Sequence, residues 1–172
     1  MDIAALFDGL WHFLESSASD PLSYSIIFFV YSVLAAIVLP LPVELGLFLS
    51  PSTPFEVKAL IMGAGKAVGS VLVFYIGIKV GDNVRRWSTR FRWFNTLVIW
   101  MERLVAKLRY IGLYIILSIP IMTDTVPLYL FAVFNERGVF RIEWFTLVCF
   151  LAGVTRAAIV YLVFLLLGIK LL

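Results

Sequence analysis

Residues 21–55 form one hydrophobic run that prolines prevent from folding as a single helix. A helix of about 35 residues would be about 50 Å long. Prolines at positions 40, 42, 51 and 54 interrupt the run, and a proline inside a helix removes a hydrogen bond and clashes with the preceding turn. Glu44 is the only charged residue of the run before position 56. The run therefore predicts a helix over about 22–39, followed by a broken segment over 40–54.

The composition indicates that this run belongs to a membrane protein. Hydrophobic residues make up 62% of the 172 residues and the mean hydropathy is +1.02, whereas soluble domains contain about 45–50% apolar residues. A break in the backbone survives inside a bilayer only where protein or water satisfies its polar groups. We therefore expect an all-α integral membrane protein, in which the broken segment is re-entrant and borders a polar, water-accessible cavity.

A second broken segment, over 117–134, resembles the first. In each segment a proline precedes an acidic residue by four positions: Pro40 precedes Glu44, and Pro120 precedes Asp124. Asp124 is the only charge in its stretch, as Glu44 is in the first. The prolines expected to shape the two re-entrant segments are Pro40, Pro42, Pro120 and Pro127.

A spanning helix with a basic residue follows each broken segment. Gly63 precedes Lys66 by three positions, and Gly153 precedes Arg156 by the same spacing. Paired broken segments in corresponding halves of a chain are typical of the midplane site of a transporter. An ionised residue within a membrane costs at least about 2.5–3.5 kcal/mol, which favours a functional role. The candidate substrate- and proton-binding residues are Glu44, Asp124, Arg156 and Lys66.

The chemistry of these four residues suits protons and anions. A desolvated carboxylate can take up a proton because burial disfavours its charged form. An arginine stays charged, so it has to pair with a carboxylate or bind an anion such as a phosphate. A static ion pair between the acids and bases is the structural alternative. Lys66 is only about 12 Å along its helix from Lys58, so its side chain could instead extend to the membrane interface.

The basic residues are concentrated between positions 79 and 109, and the positive-inside rule predicts that this segment is cytoplasmic. Residues 84–109 also carry apolar side chains at three- and four-residue spacing, which predicts an amphipathic helix along the interface. Its aromatic residues suit a headgroup layer better than a nucleic acid. The basic residues of the segment are Lys79, Arg85, Arg86, Arg90, Arg92, Arg103, Lys107 and Arg109.

These features divide the chain into a surface helix and one membrane domain. Residues 1–20 are predicted to form an amphipathic N-terminal helix on the membrane surface, and 21–172 a single membrane domain. The domain contains one half over about 21–82 and another over about 110–170, joined by the basic interfacial helix. The two halves are expected to form a pseudo-symmetric repeat, with an inverted arrangement as one option.

Several chemistries are not expected of this chain. The single cysteine, Cys149, cannot form an internal disulfide, and the only histidine, His12, is near the N-terminus. A histidine-based metal site or a Ser-His triad inside the membrane is therefore not predicted. We expect no cofactor, no bound metal, no enzymatic activity and no nucleic-acid partner.

Four motifs carry a family resemblance that covers about residues 22–169. They are "PVE" at 42–44, "GAGKAVGSVLVFYIGIKVG" at 63–81, "SIPIMTDTVPLYLFAVF" at 118–134 and "FTLVCFLAGVTRAAIVY" at 145–161. In this order they resemble the DedA family, also called the SNARE-associated Golgi protein or VTT-domain family. The chain departs from the pattern in lacking arginines around Pro120 and an acidic residue on its first spanning helix.

The resemblance implies two re-entrant hairpins that meet in the membrane. It also implies lipid translocation, by flipping or scrambling of polyprenyl-phosphates or phospholipids, coupled to protons in some members. Glu44 would match the loop carboxylate of the family, and Arg156 the arginine of its last helix.

The leading hypothesis is a membrane lipid translocase, a multi-pass protein of the cell membrane. Its partners would be membrane lipids, including an anionic phosphate headgroup, with protons as the coupling ion; a homo-oligomer is left open. One alternative is a proton-coupled exporter of small amphiphilic molecules. Another is a non-transporting membrane assembly protein that recruits partners through its basic interfacial helix.

Overall fold

The computed structural model describes residues 9, 12–13, 16–17, 19–37, 43–88, 92–120, 123–135 and 140–166. Over these residues the protein is helical and contains no strand, as the sequence predicts. The helices are α1 (Pro21–Ile37), a 3₁₀ helix (Val43–Phe48), α2 (Phe55–Ser88), α3 (Arg92–Ser118), α4 (Thr125–Val133) and α5 (Ile142–Leu166).

Two of the described helices are long and apolar enough to cross a membrane. They are the part of α2 from Phe55 to Gly81 and the whole of α5. The apolar helix α1 has 17 residues, which corresponds to about 26 Å. Large apolar side chains are exposed on both long helices, for example Leu72 and Leu162. Exposed apolar surface of this kind favours contact with lipid and agrees with the composition.

The segment 84–109, predicted as one interfacial helix, is divided between two helices. The first long helix continues to Ser88, because no glycine or proline follows Gly81 to end it, and α3 begins at Arg92. A kink then falls at Arg109, with φ 47° and ψ −149°. A positive φ is uncommon outside glycine, so this residue marks a true boundary between the basic part of α3 and the apolar part that follows.

The prolines of the two predicted broken segments lie in different structural settings. Pro40 and Pro42 lie outside the described residues, as do most of residues 1–20. Pro120 lies in the turn that follows α3. Pro127 lies within the first turn of α4, where a backbone N–H has no helical partner and proline is tolerated. In the second segment one helix therefore ends at Ser118 and the next begins at Thr125, and the re-entrant path and the repeat symmetry stay predictions.

Glycines on α2 allow three other helices to approach its backbone closely. A Cβ atom at Gly65 would lie 2.5 Å from the Cβ of Ser32 on α1. A Cβ at Gly63 would lie 2.9 Å from Val154 Cγ2 on α5, and one at Gly77 would collide with α4. Small residues permit this kind of contact between membrane helices. As a result α2 is the central helix of the protein, with α1, α4 and α5 packed around it.

We predict that Gly65→Ala lowers stability by about 1–3 kcal/mol, because the added methyl group overpacks the contact between α1 and α2. The measurement is the thermal unfolding midpoint of the purified protein in detergent. Gly9→Ala is the matched control, since a Cβ there meets nothing within 4 Å. An equal midpoint for Gly65→Ala and the wild type would contradict this packing.

Candidate functional site: a buried charge cluster

The four charged residues singled out in the sequence meet in one place. Arg156 Nη1 donates to Asp124 Oδ1 at 2.5 Å, and Arg156 Nε pairs with Glu44 Oε1. Lys66 Nζ lies 2.9 Å from the other oxygen of Asp124, Oδ2. We call these four residues the charge cluster. They come from the 3₁₀ helix, from α2, from the residue preceding α4 and from α5.

The charge cluster is buried and formally neutral. Arg156 is 1% exposed and Glu44, the most exposed member, only 5%. Two carboxylates face two basic groups, so each charge has a partner of opposite sign. Burying an unpaired charge would be strongly unfavourable, whereas a well-paired group can be buried at much lower cost. Pairing therefore explains how four ionisable side chains are buried together in a protein this apolar.

Close contact between α2 and α5 brings the two basic residues to the same point. A Cβ atom at Gly153 would lie 3.0 Å from the Cα of Gly63 and 3.0 Å from Lys66 Cδ. Each glycine stands about one helical turn before a basic residue, so the bases lie just beyond the contact. The repeated spacing between a glycine and a basic residue thus corresponds to a helix contact with the two bases beside it.

Two residues that sequence reasoning did not assign to the site hold the 3₁₀ helix that carries Glu44. The buried Lys58 donates from Nζ to the carbonyl oxygens of Leu47, at 3.1 Å, and Leu49, at 2.7 Å. The hydroxyl of Tyr24 donates to the carbonyl of Gly46. The position of Lys58 could have indicated this role, because it lies one turn into a helix that follows a loop. A lysine there can contact the carbonyls of that loop. No comparable signal in the sequence marks Tyr24.

Asp124 lies at the N-cap position of α4 but makes no side-chain cap hydrogen bond. Both of its carboxylate oxygens contact basic groups instead. The next residue, Thr125, donates from its hydroxyl to the carbonyl of Ala35 at 3.0 Å and so ties α4 to α1. The start of α4 is therefore positioned by α1 on one side and by the charge cluster on the other.

Apart from atoms that form the ion pairs, two buried polar atoms near this site have no hydrogen-bond partner within the described ranges. One is Glu44 Oε2 and the other is the hydroxyl of Tyr31 on α1. Tyr31 is fully buried and within electrostatic reach of the Glu44 charge. Unsatisfied buried polar groups are few in native proteins and often mark functional sites. Sequence reasoning missed Tyr31, because a tyrosine in an apolar helix looks like any other core aromatic residue.

An apolar cavity of about 370 Å³ borders the charge cluster through Glu44. The sequence predicts a polar, water-accessible cavity where the two broken segments meet, and this stays a prediction, whereas the cavity beside Glu44 has an apolar wall. Its surface is apolar because the four charges face one another and aromatic and aliphatic side chains face the space. The other residues of its wall are Leu45, Phe48, Pro120, Val160, Val163 and Phe164.

The arrangement can exchange partners when a proton arrives. Arg156 bridges two carboxylates, so a proton on either acid would remove one of its anionic partners while its own charge persists. The arginine could then accept another anion. Within the described ranges, no group of three His, Cys, Asp or Glu side chains lies close enough together to hold a metal ion.

We predict that Arg156→Leu destabilises the protein by about 3–5 kcal/mol, because it leaves two carboxylates with a single base. Adding Glu44→Gln should recover part of this loss, since the remaining Asp124 and Lys66 still neutralise each other. Thermal unfolding of both single variants and the double variant gives the coupling between the two sites. Arg141→Leu is the matched control, because that arginine is 71% exposed. If the stability changes of Arg156→Leu and Glu44→Gln simply added in the double variant, a direct interaction between the two side chains would be contradicted.

Comparisons with models of known protein families, with curated proteins and with solved structures found no match for this chain. The resemblance to the DedA family therefore stays an interpretation of the four sequence motifs.

Proposed function

We propose that the protein is a membrane lipid translocase, a flippase or scramblase for polyprenyl-phosphates or phospholipids. The observation that carries this proposal is the charge cluster, four buried ionisable residues from four elements of an apolar protein. Charged residues at such positions are costly and commonly mark substrate or proton pathways. The cluster also borders an apolar cavity, so a polar group and a hydrocarbon chain have adjacent places.

The pairing within the charge cluster suggests how transport would be coupled to protons. Arg156 and Lys66 each contact a carboxylate, so a lipid phosphate gains access to Arg156 only when an acid releases it. Protonation of Glu44 would achieve this release and would leave two bases facing one carboxylate, an excess positive charge that an anionic phosphate can neutralise. A phosphate would then take the place of the carboxylate on the guanidinium, a geometry that arginine favours.

The proposal extends to family and location. We assign the chain to the DedA family on its four motifs, with both broken segments re-entrant and the two halves related as a repeat. It would be a multi-pass protein of the cell membrane, with the basic segment 79–109 in the cytoplasm, as the positive-inside rule predicts.

A second candidate function is a proton-coupled exporter of small amphiphilic molecules. The observation that favours it is the size of the cavity, because about 370 Å³ falls within the range of about 300–1,000 Å³ typical of small-molecule sites. The same carboxylates would carry the proton. Proton flux that is stimulated by a small amphiphile, in vesicles that show no lipid movement, would identify this activity.

The test is lipid movement in liposomes that contain the purified protein and lipids with fluorescent headgroups. A membrane-impermeant quencher added outside removes only the outer-leaflet signal unless lipids cross. We expect wild-type protein to give quenching beyond that fraction, and Glu44→Gln and Arg156→Leu to lose most of the excess. Several headgroups, including phosphate-terminated polyprenols, are compared with and without a pH gradient.

Two matched controls address loss of folding and unspecific effects of charge. Glu143→Gln and Arg141→Leu remove the same kinds of charge from an exposed ion pair and should keep wild-type lipid movement. Each variant is reconstituted only after gel filtration shows a monodisperse peak. The proposal would be contradicted if wild-type protein gave no quenching beyond the outer-leaflet fraction with any headgroup. It would also be contradicted if Glu44→Gln and Arg156→Leu both kept the extra quenching.

A further inference from the structure

The cavity beside the charge cluster has the size and surface of a site for one hydrocarbon chain. Its wall is apolar throughout, and Glu44 contributes no polar surface to it. A water-sized group occupies about 30 Å³, and a methylene group is of similar size. The volume of about 370 Å³ therefore holds about a dozen such groups, the length of a single medium alkyl chain.

Glu44 is the only polar residue in this wall, and half of its carboxylate is unsatisfied. Oε1 pairs with Arg156 Nε, whereas Oε2 is buried and accepts no hydrogen bond from the residues that the structure describes. A buried acceptor without a donor is costly. A ligand that brings a hydrogen-bond donor to Oε2 would remove that cost. The polar end of the bound molecule is therefore expected to donate a hydrogen bond.

The charges at the site favour a cationic donor over an anionic headgroup. Arg156 and Lys66 already contact carboxylates, so an anion that enters beside Glu44 meets a negative charge first. An ammonium group instead meets an acceptor of opposite charge. Hydrogen bonds between charged partners are roughly twice as strong as those between neutral ones.

We infer that the cavity binds a single-chain amphiphile with a primary amine headgroup. The alkyl chain fills the apolar space, and the ammonium group donates to Glu44 Oε2 once the side chain rotates toward the cavity. This inference rests on the proposed function and deepens it, because it names an amine headgroup rather than a phosphate as the one that the unprotonated site accepts.

The test is equilibrium binding of radiolabelled dodecylamine to the full chain in nanodiscs of zwitterionic lipid, after subtraction of binding to empty nanodiscs. At pH 7 the amine is protonated, since alkylammonium groups such as that of lysine have a pKa of about 10.4. We expect saturable binding that unlabelled dodecylamine displaces. Dodecyl phosphate, with the same chain, should displace it at least about tenfold less effectively.

Three variants locate the site. Glu44→Gln, which keeps an acceptor but removes the charge, should weaken binding about tenfold. Val163→Trp should abolish binding, because the larger side chain fills the cavity from its wall. Leu162→Trp is the matched control, because Leu162 is exposed on the same helix and is not part of that wall. It should bind as the wild type does.

Several outcomes would overturn the inference: no saturable binding, equal competition by dodecyl phosphate, or unchanged binding in Glu44→Gln. Binding that is equal in Val163→Trp and Leu162→Trp would also do so, because the ligand would then lie elsewhere. The liposome assay reports on the proposed function separately. Lipid movement without dodecylamine binding would support the translocase and contradict the amine site. Dodecylamine binding without lipid movement would support the amine site and contradict the translocase.

Discussion

The guanidinium of Arg156 is the group on which the arrangement of this protein depends. It cannot readily lose its charge, so an arginine that is 1% exposed in an apolar protein requires anionic partners at the same depth. Those partners, Glu44 and Asp124, belong to two segments that are far apart in the chain. The pairing thus fixes where the 3₁₀ helix and the start of α4 lie relative to α5.

Other contacts prepare the site so that this pairing can form. Lys58 and Tyr24 donate hydrogen bonds to carbonyls in and just after the 3₁₀ helix, and the glycine contact between α2 and α5 brings Lys66 beside Asp124. The result is a neutral group of charges that borders an apolar cavity. We propose that this site responds to a proton or a charged headgroup, because either one would change which acid faces which base.

Much of the site was predictable from the sequence, because a charge in a hydrophobic run has few ways to avoid its desolvation cost. That reasoning selected Glu44, Lys66, Asp124 and Arg156, and the structure brings them together. It could not give the pairing, since either base could neutralise either acid. It also could not foresee the apolar cavity beside Glu44, because the side chains that line it come from segments far apart in the chain. The boundary at Ser88 was missed because no helix-breaking residue marks it.

The most direct test of this account is solid-state NMR of the protein in lipid bilayers, with ¹⁵N in arginine side chains and ¹³C in carboxyl groups. Dipolar recoupling measures whether the guanidinium of Arg156 lies against carboxylates. The account predicts two contacts, one lost in Glu44→Gln and the other in Asp124→Asn, and both kept in Arg141→Gln, which removes the exposed pair with Glu143. Spectra in which the only arginine–carboxylate contact disappears with Arg141→Gln would contradict it.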